Sequence, residues 1–484
     1  MIIWDTPTTC RFVEPDEQKR ALVRAALTYT NKSVDYQIRQ LKNARWFDAE
    51  QQQDRLAELQ EARRVCLLTE EGDSCVTYAG LANTVDGIIH QGVERFVLYP
   101  SANTIPWAEV PPPLRPYQQD TVDIFLRYKH AAAEMATGLG KSYIILHLAK
   151  NLGLKTIVMA PTTSIADQLY ADFIRYLGKK YVGRFYGGKK DSSKLFTVAI
   201  HASLARIPGD SPDFLAFSAV QVFIADESHL TPAATLQSVC MGLASKAPYR
   251  FFLSGTQLRA DGSDLLLRGI TGPILKRMTV VDGVEQGYLA APRFRIFPMT
   301  SCDSYTSSDP LKMTQRHFYY NQAIIRKATA LVNYAVTRMN HQVLIFIDEI
   351  EQFRDIAPHL AAQYRFAHGP LTKANLQYVP EAHRDSDNSK IVADFNAGKF
   401  PVLIGTSAIG MGTDIRPVKT IVNLTGGKSE VQIRQLVGRG TRKVEGKTEC
   451  MVFDFDVVNV PMLHRHAEER MVVYEDIYPD VEVI

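Results

Sequence analysis

The sequence holds few cysteines and arranges none of them for a bridge or a zinc site. Cys10, Cys66, Cys75, Cys240, Cys302 and Cys450 form no C-x-x-C pair and have no histidine at zinc-ligand spacing, so a disulfide framework or structural zinc is not expected and a reducing compartment is. No apolar run approaches the roughly 20 residues needed to span a bilayer. The opening Met1-Ile-Ile-Trp-Asp5 lacks the basic and apolar segments of a signal peptide. These absences lead to the expectation of a soluble, intracellular, cytoplasmic protein without a membrane partner. Charge of neither sign dominates, since 55 Lys and Arg face 52 Asp and Glu for a formal +3, and any polyanion would have to meet a local basic surface. Internal repeats and low-complexity tracts are also missing.

What is present is length and apolar content. The 484 residues, 46% hydrophobic, suffice for two or more substantial cores and exclude a single small binding module. Residues 17–63 are rich in helix formers, with breaks expected near Thr28–Lys32 and Phe47. A hairpin is expected from Val65-Cys-Leu-Leu-Thr through the turn Glu71-Gly72-Asp73 to Cys75-Val-Thr-Tyr, and a strand at Arg95-Phe-Val-Leu-Tyr. The run Pro111-Pro112-Pro113 marks a boundary, giving a small α+β domain over residues 1–112. Beyond it, short β-branched runs alternate with helical stretches, a pattern of parallel sheets covered on both faces. One series runs from Thr156-Ile-Val-Met-Ala to Arg250-Phe-Phe-Leu-Ser. The other follows a connecting segment near 283–300 and includes Val343–Ile347, Gln377-Tyr-Val, Pro401–Gly405, Thr420–Leu424 and Cys450–Phe455. The expected fold is therefore α/β, with lobes over 113–285 and 286–484.

Two segments of the first lobe carry phosphate chemistry. Thr137-Gly138-Leu139-Gly140-Lys141-Ser142 ends as a P-loop does and runs into a helical stretch. Its glycines let the backbone wrap phosphate oxygens, Lys141 supplies a point charge and Ser142 is a candidate Mg²⁺ ligand. Met135 stands where the P-loop pattern has its first glycine, and the triplet alone also fits a surface turn. The apolar strand Val222-Phe-Ile-Ala ends in Asp226-Glu227-Ser228-His229. Adjacent carboxylates at a strand end suit a metal holder, Asp226, and an activator of the attacking water, Glu227. Upstream, Gln118 in Leu114-Arg115-Pro116-Tyr117-Gln118 has the donor and acceptor faces to pair with an adenine edge, and equally suits a solvated helix.

With these segments in order, the chain resembles superfamily 2 helicases and translocases of the Asp-Glu-x-His type over residues ~113–460. Arg115–Gln118 resembles the adenine-reading motif, Thr137–Ser142 motif I, Ala160–Thr163 with Gln168 motif Ia, and Ile200–Leu204 motif Ib. Asp226–His229 is similar to motif II and Ser254-Gly255-Thr256 to motif III. In the second lobe Val343–Ile347 resembles motif IV, Gly405–Asp414 motif V and Gln435–Arg442 motif VI. Within the superfamily, Ser254–Gly262 and the small N-terminal domain look most like the phage UvsW group, with the XPB and RecG groups more distant.

The resemblance implies two tandem RecA-like lobes, ATP with Mg²⁺ as cofactors, and DNA, probed mainly through its backbone, as partner. It places Arg115, Gln118, Thr137, Gly138, Gly140, Lys141, Ser142 and Asp414 on the nucleotide, and Thr162, Thr163, Ser203, Thr406 and Ser407 on the nucleic acid. His229, Ser254 and Thr256 would transmit the phosphate state, although a lone histidine equally suits a packed core. Gln435, Arg439 and Arg442 fall on one face of a helix at spacings of four and three. Arg442, with Arg439 beside it, would stabilise charge developing on the transferring phosphate, and Gly438 would permit close approach there. Basic and aromatic residues at 24–47, including Arg45, Trp46 and Phe47, suit either DNA binding or core packing. His464 and His466 lack ordered metal spacing, and Met471–Tyr478 is expected to pack on the second lobe.

The implied function is an ATP-dependent DNA helicase remodelling forks, displacement loops and Holliday junctions in recombination, replication and repair, alongside proteins of those processes. The host cytoplasm is its expected location if phage-encoded, and a monomer its expected state, since each chain supplies both halves of the ATP site. The alternatives are a duplex translocase that does not separate strands, an RNA helicase and, from another class, an ATP-binding scaffold without a motor stroke.

Overall fold

The computed structural model describes residues 1–484 apart from 5, 44–48, 232, 257–261, 385–386 and 407–414, and apart from the side chains of 36, 43, 49, 50 and 233. By its contacts the chain divides into two units, Met1–Met135 with Gly140–Arg277, and Ala136–Leu139 with Met278–Ile484.

The first unit opens with strands β1 (Ile2–Trp4), β2 (Thr9–Val13), β3 (Thr28–Thr30), β4 (Arg64–Cys66), β5 (Leu68–Glu71), β6 (Ser74–Tyr78) and β7 (Val93–Arg95). Five of them form a mixed sheet in the order β5-β6-β2-β1-β7, while β3 and β4 make a separate antiparallel ribbon. The expected hairpin is there as β5 and β6, turning at Gly72 with φ +64°. Val65 and Cys66 belong instead to β4, and β7 stops at Arg95, leaving Phe96–Tyr99 outside any strand. Helices Lys32–Asn43 and Ala49–Ala62 extend between β3 and β4. The sequence-based alternatives for Arg45, Trp46 and Phe47 lie outside the described residues.

This sheet does not keep a private core. Ile2, Trp4, Phe12, Leu81 and Val85 join one apolar cluster with Ala132, Phe252, Leu266 and Ile270 of the following lobe. Gly80 makes the seam close: a Cβ there would sit 2.3 Å from the carbonyl oxygen of Arg268 and 2.6 Å from that of Gly269.

The lobe itself is a sheet of β8 (His130–Met135), β9 (Thr156–Ala160), β10 (Val182–Phe185), β11 (Phe196–Ile200), β12 (Val222–Asp226), β13 (Tyr249–Ser254) and β14 (Ile274–Met278). Their order is β10-β11-β9-β12-β13-β8-β14. The second unit repeats the plan with β15 (Ala291–Met299), β16 (Gln342–Ile347), β17 (Tyr364–Ala367), β18 (Val402–Gly405), β19 (Val418–Leu424), β20 (Glu449–Val457) and β21 (Val481–Val483), ordered β17-β18-β16-β19-β20-β15-β21. Every pair with a defined register in both sheets is parallel. The fold is an α+β N-terminal region followed by two RecA-like parallel sheets. In β16, Val343, Ile345 and Ile347 join one core cluster while Leu344 and Phe346 join the other, as a strand buried on both faces requires.

Three expectations for the second lobe need correction. Gln377-Tyr-Val is not a strand but overlaps the 3-10 turn Asn375–Tyr378. The strand β17, thirteen residues earlier at Tyr364, was not anticipated. The expected connector contains β15, whose apolar pattern is broken by Arg293 and Arg295. Those two guanidiniums are satisfied by Glu449 at 3.2 Å, Asp480 at 2.8 Å and Glu482 at 2.9 Å, partners that only the folded sheet supplies.

Candidate functional site

Parallel strands deliver their C-terminal ends to one edge of a sheet, and in the first unit that edge collects the predicted motor residues. After β8 the helix Lys141–Leu152 starts from Gly140, held at φ +76°. Lys141 is 9% exposed, donates to the Met135 carbonyl at 3.1 Å and pairs with Glu227 Oε1 at 2.9 Å. Met135, the departure from the P-loop pattern, thus serves through its backbone, to which the missing glycine is irrelevant. Ser142 follows on the first helical turn.

Gln118 is 4% exposed, which eliminates the solvated reading. Its Oε1 accepts the Arg115 N–H at 2.9 Å and its Nε2 donates to the Gly140 carbonyl at 3.4 Å. A Cβ on Gly140 would lie 2.6 Å from that Nε2. Positive φ and close approach together demand glycine here.

β12 ends in the carboxylate pair. Asp226 is buried, and its Oδ1 accepts the Glu227 N–H at 3.0 Å. Burial first, then the charge of Glu227, pushes the Asp226 carboxyl up to about 7, against the opposing pull of Lys141. Burial would raise Glu227 as well, but Lys141 and His229 outweigh it and hold that carboxylate below its ordinary range. Environment has therefore driven the two acids apart, as where paired carboxylates take different roles. Glu227 also has φ +46°, a left-handed conformation that a non-glycine residue occupies at a cost of order 1–3 kcal/mol. Nothing in Asp-Glu-Ser-His announces this.

The strained turn aims Glu227 at motif III. Its Oε2 accepts the Gly255 N–H at 3.0 Å and lies 3.4 Å from Ser254 Oγ. His229, 7% exposed, is hydrogen-bonded through Nδ1 to Ser254, and the Ser254 hydroxyl donates to the Thr256 carbonyl at 2.5 Å. Carboxylate, imidazole and hydroxyl form one buried network, so His229 is more than core filling. The Gly255 N–H is a participant the sequence reading passed over.

At the same edge, Ala160 of β9 stands opposite Ile200 of β11, setting the segments of Thr162, Thr163 and Ser203 side by side. Thr162 caps the helix Thr163–Leu177, accepting the Ile165 N–H at 3.4 Å.

The second unit holds the remaining predicted residues on the helix Glu430–Gly440, capped by Ser429. Gln435 is half-buried, Arg439 is 4% exposed, and Arg442 just beyond the helix bridges Leu289. Burial, then the neighbouring Arg442, lowers the Arg439 guanidinium. Within this unit a Cβ on Gly438 would lie 2.5 Å from Thr137 Cβ, and one on Gly138 3.2 Å from Arg442 Cγ. Thr406 is buried after β18 and its N–H donates to the Ala367 carbonyl at 3.3 Å. Ser407, Gly410, Gly412 and Asp414 lie outside the described residues, as do Arg259 and Asp261.

Comparison with known proteins agrees with this arrangement. Residues 112–259 match the family described as type III restriction enzyme, res subunit, and residues 326–444 match the helicase conserved C-terminal domain. The chain belongs to the superfamily 2 helicases. As such it is an ATP-hydrolysing enzyme. This helicase is similar to the probable helicase D10 of Escherichia phage T5, 28% identical over 70% of each chain. It is also similar to the ATP-dependent DNA helicase uvsW of Enterobacteria phage T4, 22% identical over 70% of this chain and 67% of that one. Its fold matches the ATP-dependent Type ISP restriction-modification enzyme LlaBIII bound to DNA with a TM-score of 0.56 at 15% identity, over 78% of this helicase and 31% of that chain. No helix among the described residues is long and apolar enough to cross a membrane.

Proposed function

We propose that this helicase uses Mg²⁺-ATP to translocate on DNA and remodel branched structures, such as regressed forks, displacement loops and Holliday junctions, during recombination, replication and repair. The observation that carries the ATP half is Lys141 and Glu227 paired beside a protonation-prone Asp226. In this reading ATP would take Lys141 from Glu227, Asp226 and Ser142 would hold Mg²⁺, which would neutralise phosphate charge, and the freed Glu227 would orient the attacking water. Arg115 and Gln118 read the adenine, with Thr137, Gly138, Gly140 and Asp414 around the phosphates. Gln435, Arg439 and Arg442 supply charge to the transition state. His229, Ser254 and Thr256 carry the phosphate state toward a DNA backbone held by Thr162, Thr163, Ser203, Thr406 and Ser407. Residues 1–112 serve as a DNA-engaging accessory region, 113–285 and 286–484 as the two lobes, and a single chain suffices.

The DNA-helicase part of this reading draws support from the similarity to the ATP-dependent DNA helicase uvsW, and the branched-DNA part is what the sequence resemblance implies. A second reading, duplex translocation without strand separation, draws support from the restriction-enzyme family matching the first lobe. Measuring ATP turnover with no polymer, single-stranded DNA, duplex, four-way junctions and RNA, together with strand release from a mobile junction, separates them. Junction-stimulated turnover with strand release is expected. Stimulation by duplex without release would favour the second reading, and turnover indifferent to DNA would reject both.

A further inference from the structure

One stretch of this chain is strongly basic and takes no part in the proposed motor chemistry. Residues 179–194, Lys-Lys-Tyr-Val-Gly-Arg-Phe-Tyr-Gly-Gly-Lys-Lys-Asp-Ser-Ser-Lys, carry six cations and one carboxylate, net +5 in a protein of formal +3, so the rest of the chain is net negative by two. They form β10, the outermost strand of the first lobe's sheet, and the segment that turns back along it. Gly187 and Gly188, at φ +58° and +77°, make the turn. Asp191 then donates its N–H to Arg184 O at 3.0 Å, and Lys194 Nζ reaches Lys180 O at 3.3 Å.

The result is a stripe down the whole edge. Lys189 and Lys190 lie exposed at the end where β11 delivers Ser203, Arg184 in the middle, and Lys179, Lys180 and Lys194 at the far end. At ~3.3 Å per residue the four residues of β10 alone span about 13 Å, and the flanking lysines extend it further. Tyrosines interleave: Lys180 lies 4.6 Å from the Tyr181 ring centre, and Arg184 5.6 Å from Tyr170 and 5.7 Å from Tyr186. None of the six cations forms an ion pair among the described residues. Elsewhere on this unit, by contrast, Arg20 and Arg24 are neutralised by Glu17, Glu70 and Asp73. Asp167 and Asp213 are close by, but they are engaged by the hydroxyls of Tyr186 and Ser192. Counting both still leaves the edge at +3.

Five strand spacings separate β10 from β8, which leads into the P-loop. At ~4.8 Å each that is about 24 Å, well beyond a Debye length of about 8 Å, so the stripe does not serve ATP.

We propose that this edge is a second DNA site, which holds the phosphate backbone of a duplex arm outside the motor track. The inference rests on the branched-DNA reading, because only a substrate with more than one arm needs a site beyond the track. Lys179, Lys180, Lys189 and Lys190, exposed and without an ion pair among the described residues, suit a sequence-blind polyanion whose binding releases counterions.

The test uses the full chain with two charge-reversed variants, Lys179→Glu with Lys180→Glu, and Lys189→Glu with Lys190→Glu. Milder Lys→Gln pairs and thermal melting guard against misfolding. Binding to a four-way junction and to a single strand is titrated across salt. Each Glu pair should weaken junction binding at least tenfold and reduce the slope of log affinity against log salt by about two, with the single strand weakened less than threefold. Equal losses on both substrates would make the stripe part of the motor track and overturn the proposal, as would an unchanged junction affinity. Failure of the branched-DNA reading appears separately, as unmodified protein whose ATP turnover no junction stimulates.

Discussion

Lys141 and Glu227 neutralise each other across 2.9 Å, the lysine side chain 9% exposed and the carboxylate in a left-handed turn. Each group is thereby occupied until a phosphate competes for the lysine. Lys141→Ala should lose both ATP affinity and turnover. Glu227→Gln should still bind ATP while turnover falls by about 10²–10⁴, the range for loss of a positioned proton acceptor. Equilibrium binding of a fluorescent ATP analogue beside steady-state hydrolysis separates these outcomes. A Glu227→Gln protein that hydrolyses normally would remove this residue from the mechanism.

The second prediction concerns pH. An unfolded aspartate ionises near ~4, whereas Asp226 keeps its proton to about 7. Stability from this group is therefore fully present below about 4 and is lost as pH rises through about 7. Glu227, held low, contributes in the opposite sense: its stability is present above the ordinary carboxylate range and lost on acidification. Melting of the nucleotide-free protein should decline from about pH 4 to about pH 7 relative to Asp226→Asn. In the proposed site Asp226 would hold Mg²⁺ in its ionised form, so binding of Mg²⁺-ATP should tighten by about tenfold for each unit that pH rises toward about 7. Calorimetry with Mg²⁺ and with a chelator isolates the effect.

Ser254 stands between His229 and the Thr256 carbonyl. Ser254→Ala removes a hydroxyl that joins His229 to the Thr256 carbonyl and lies 3.4 Å from Glu227, and should reduce stimulation of turnover by DNA about tenfold, with a smaller fall in basal turnover. The informative quantity is the ratio of kcat with and without DNA. Equal falls in both would give Ser254 a purely local role.

In the second unit Arg470 and Asp454, each 1% exposed, join through 2.7 Å and 3.1 Å hydrogen bonds, with Tyr474 also on Asp454 at 2.7 Å. Arg470 Nη1 additionally holds the Gly427 carbonyl at 3.0 Å, just ahead of the Arg439 helix. Arg470→Met alone leaves a buried carboxylate and should cost about 3–5 kcal/mol. Combining it with Asp454→Leu should recover part of that. Urea unfolding of the two variants side by side checks the order, and a double variant less stable than the single would refute it.

Much of this was legible in the sequence because the motor residues sit on apolar strands whose hydrophobicity is continuous. β12 shows its carboxylates at the end of Val-Phe-Ile-Ala, and the helix of Gln435 and Arg439 is written in their spacing. Where the reading failed, long-range pairs were responsible. Arg293 and Arg295 disguise β15 because the acids that satisfy them lie on β20 and around β21. Tyr364–Ala367 is too short and too mixed to stand out from its surroundings. The left-handed Glu227 left no trace, since its side-chain partners, Lys141 and Gly255, lie 86 and 28 residues away. Arg470, one of two arginines in a helical stretch, gave no sign of a carboxylate sixteen residues earlier.

The glycine seam at Gly80 bears on how the front of this chain can be handled. Severing the polypeptide at the three prolines would bare facing greasy surfaces on both fragments, and each would be prone to clump. Transplanting the first hundred residues onto another motor would likewise demand a recipient whose helix at Asp264–Thr271 offers a matching smooth groove. Whatever those residues grasp, they travel with the lobe beneath them instead of swinging on a tether.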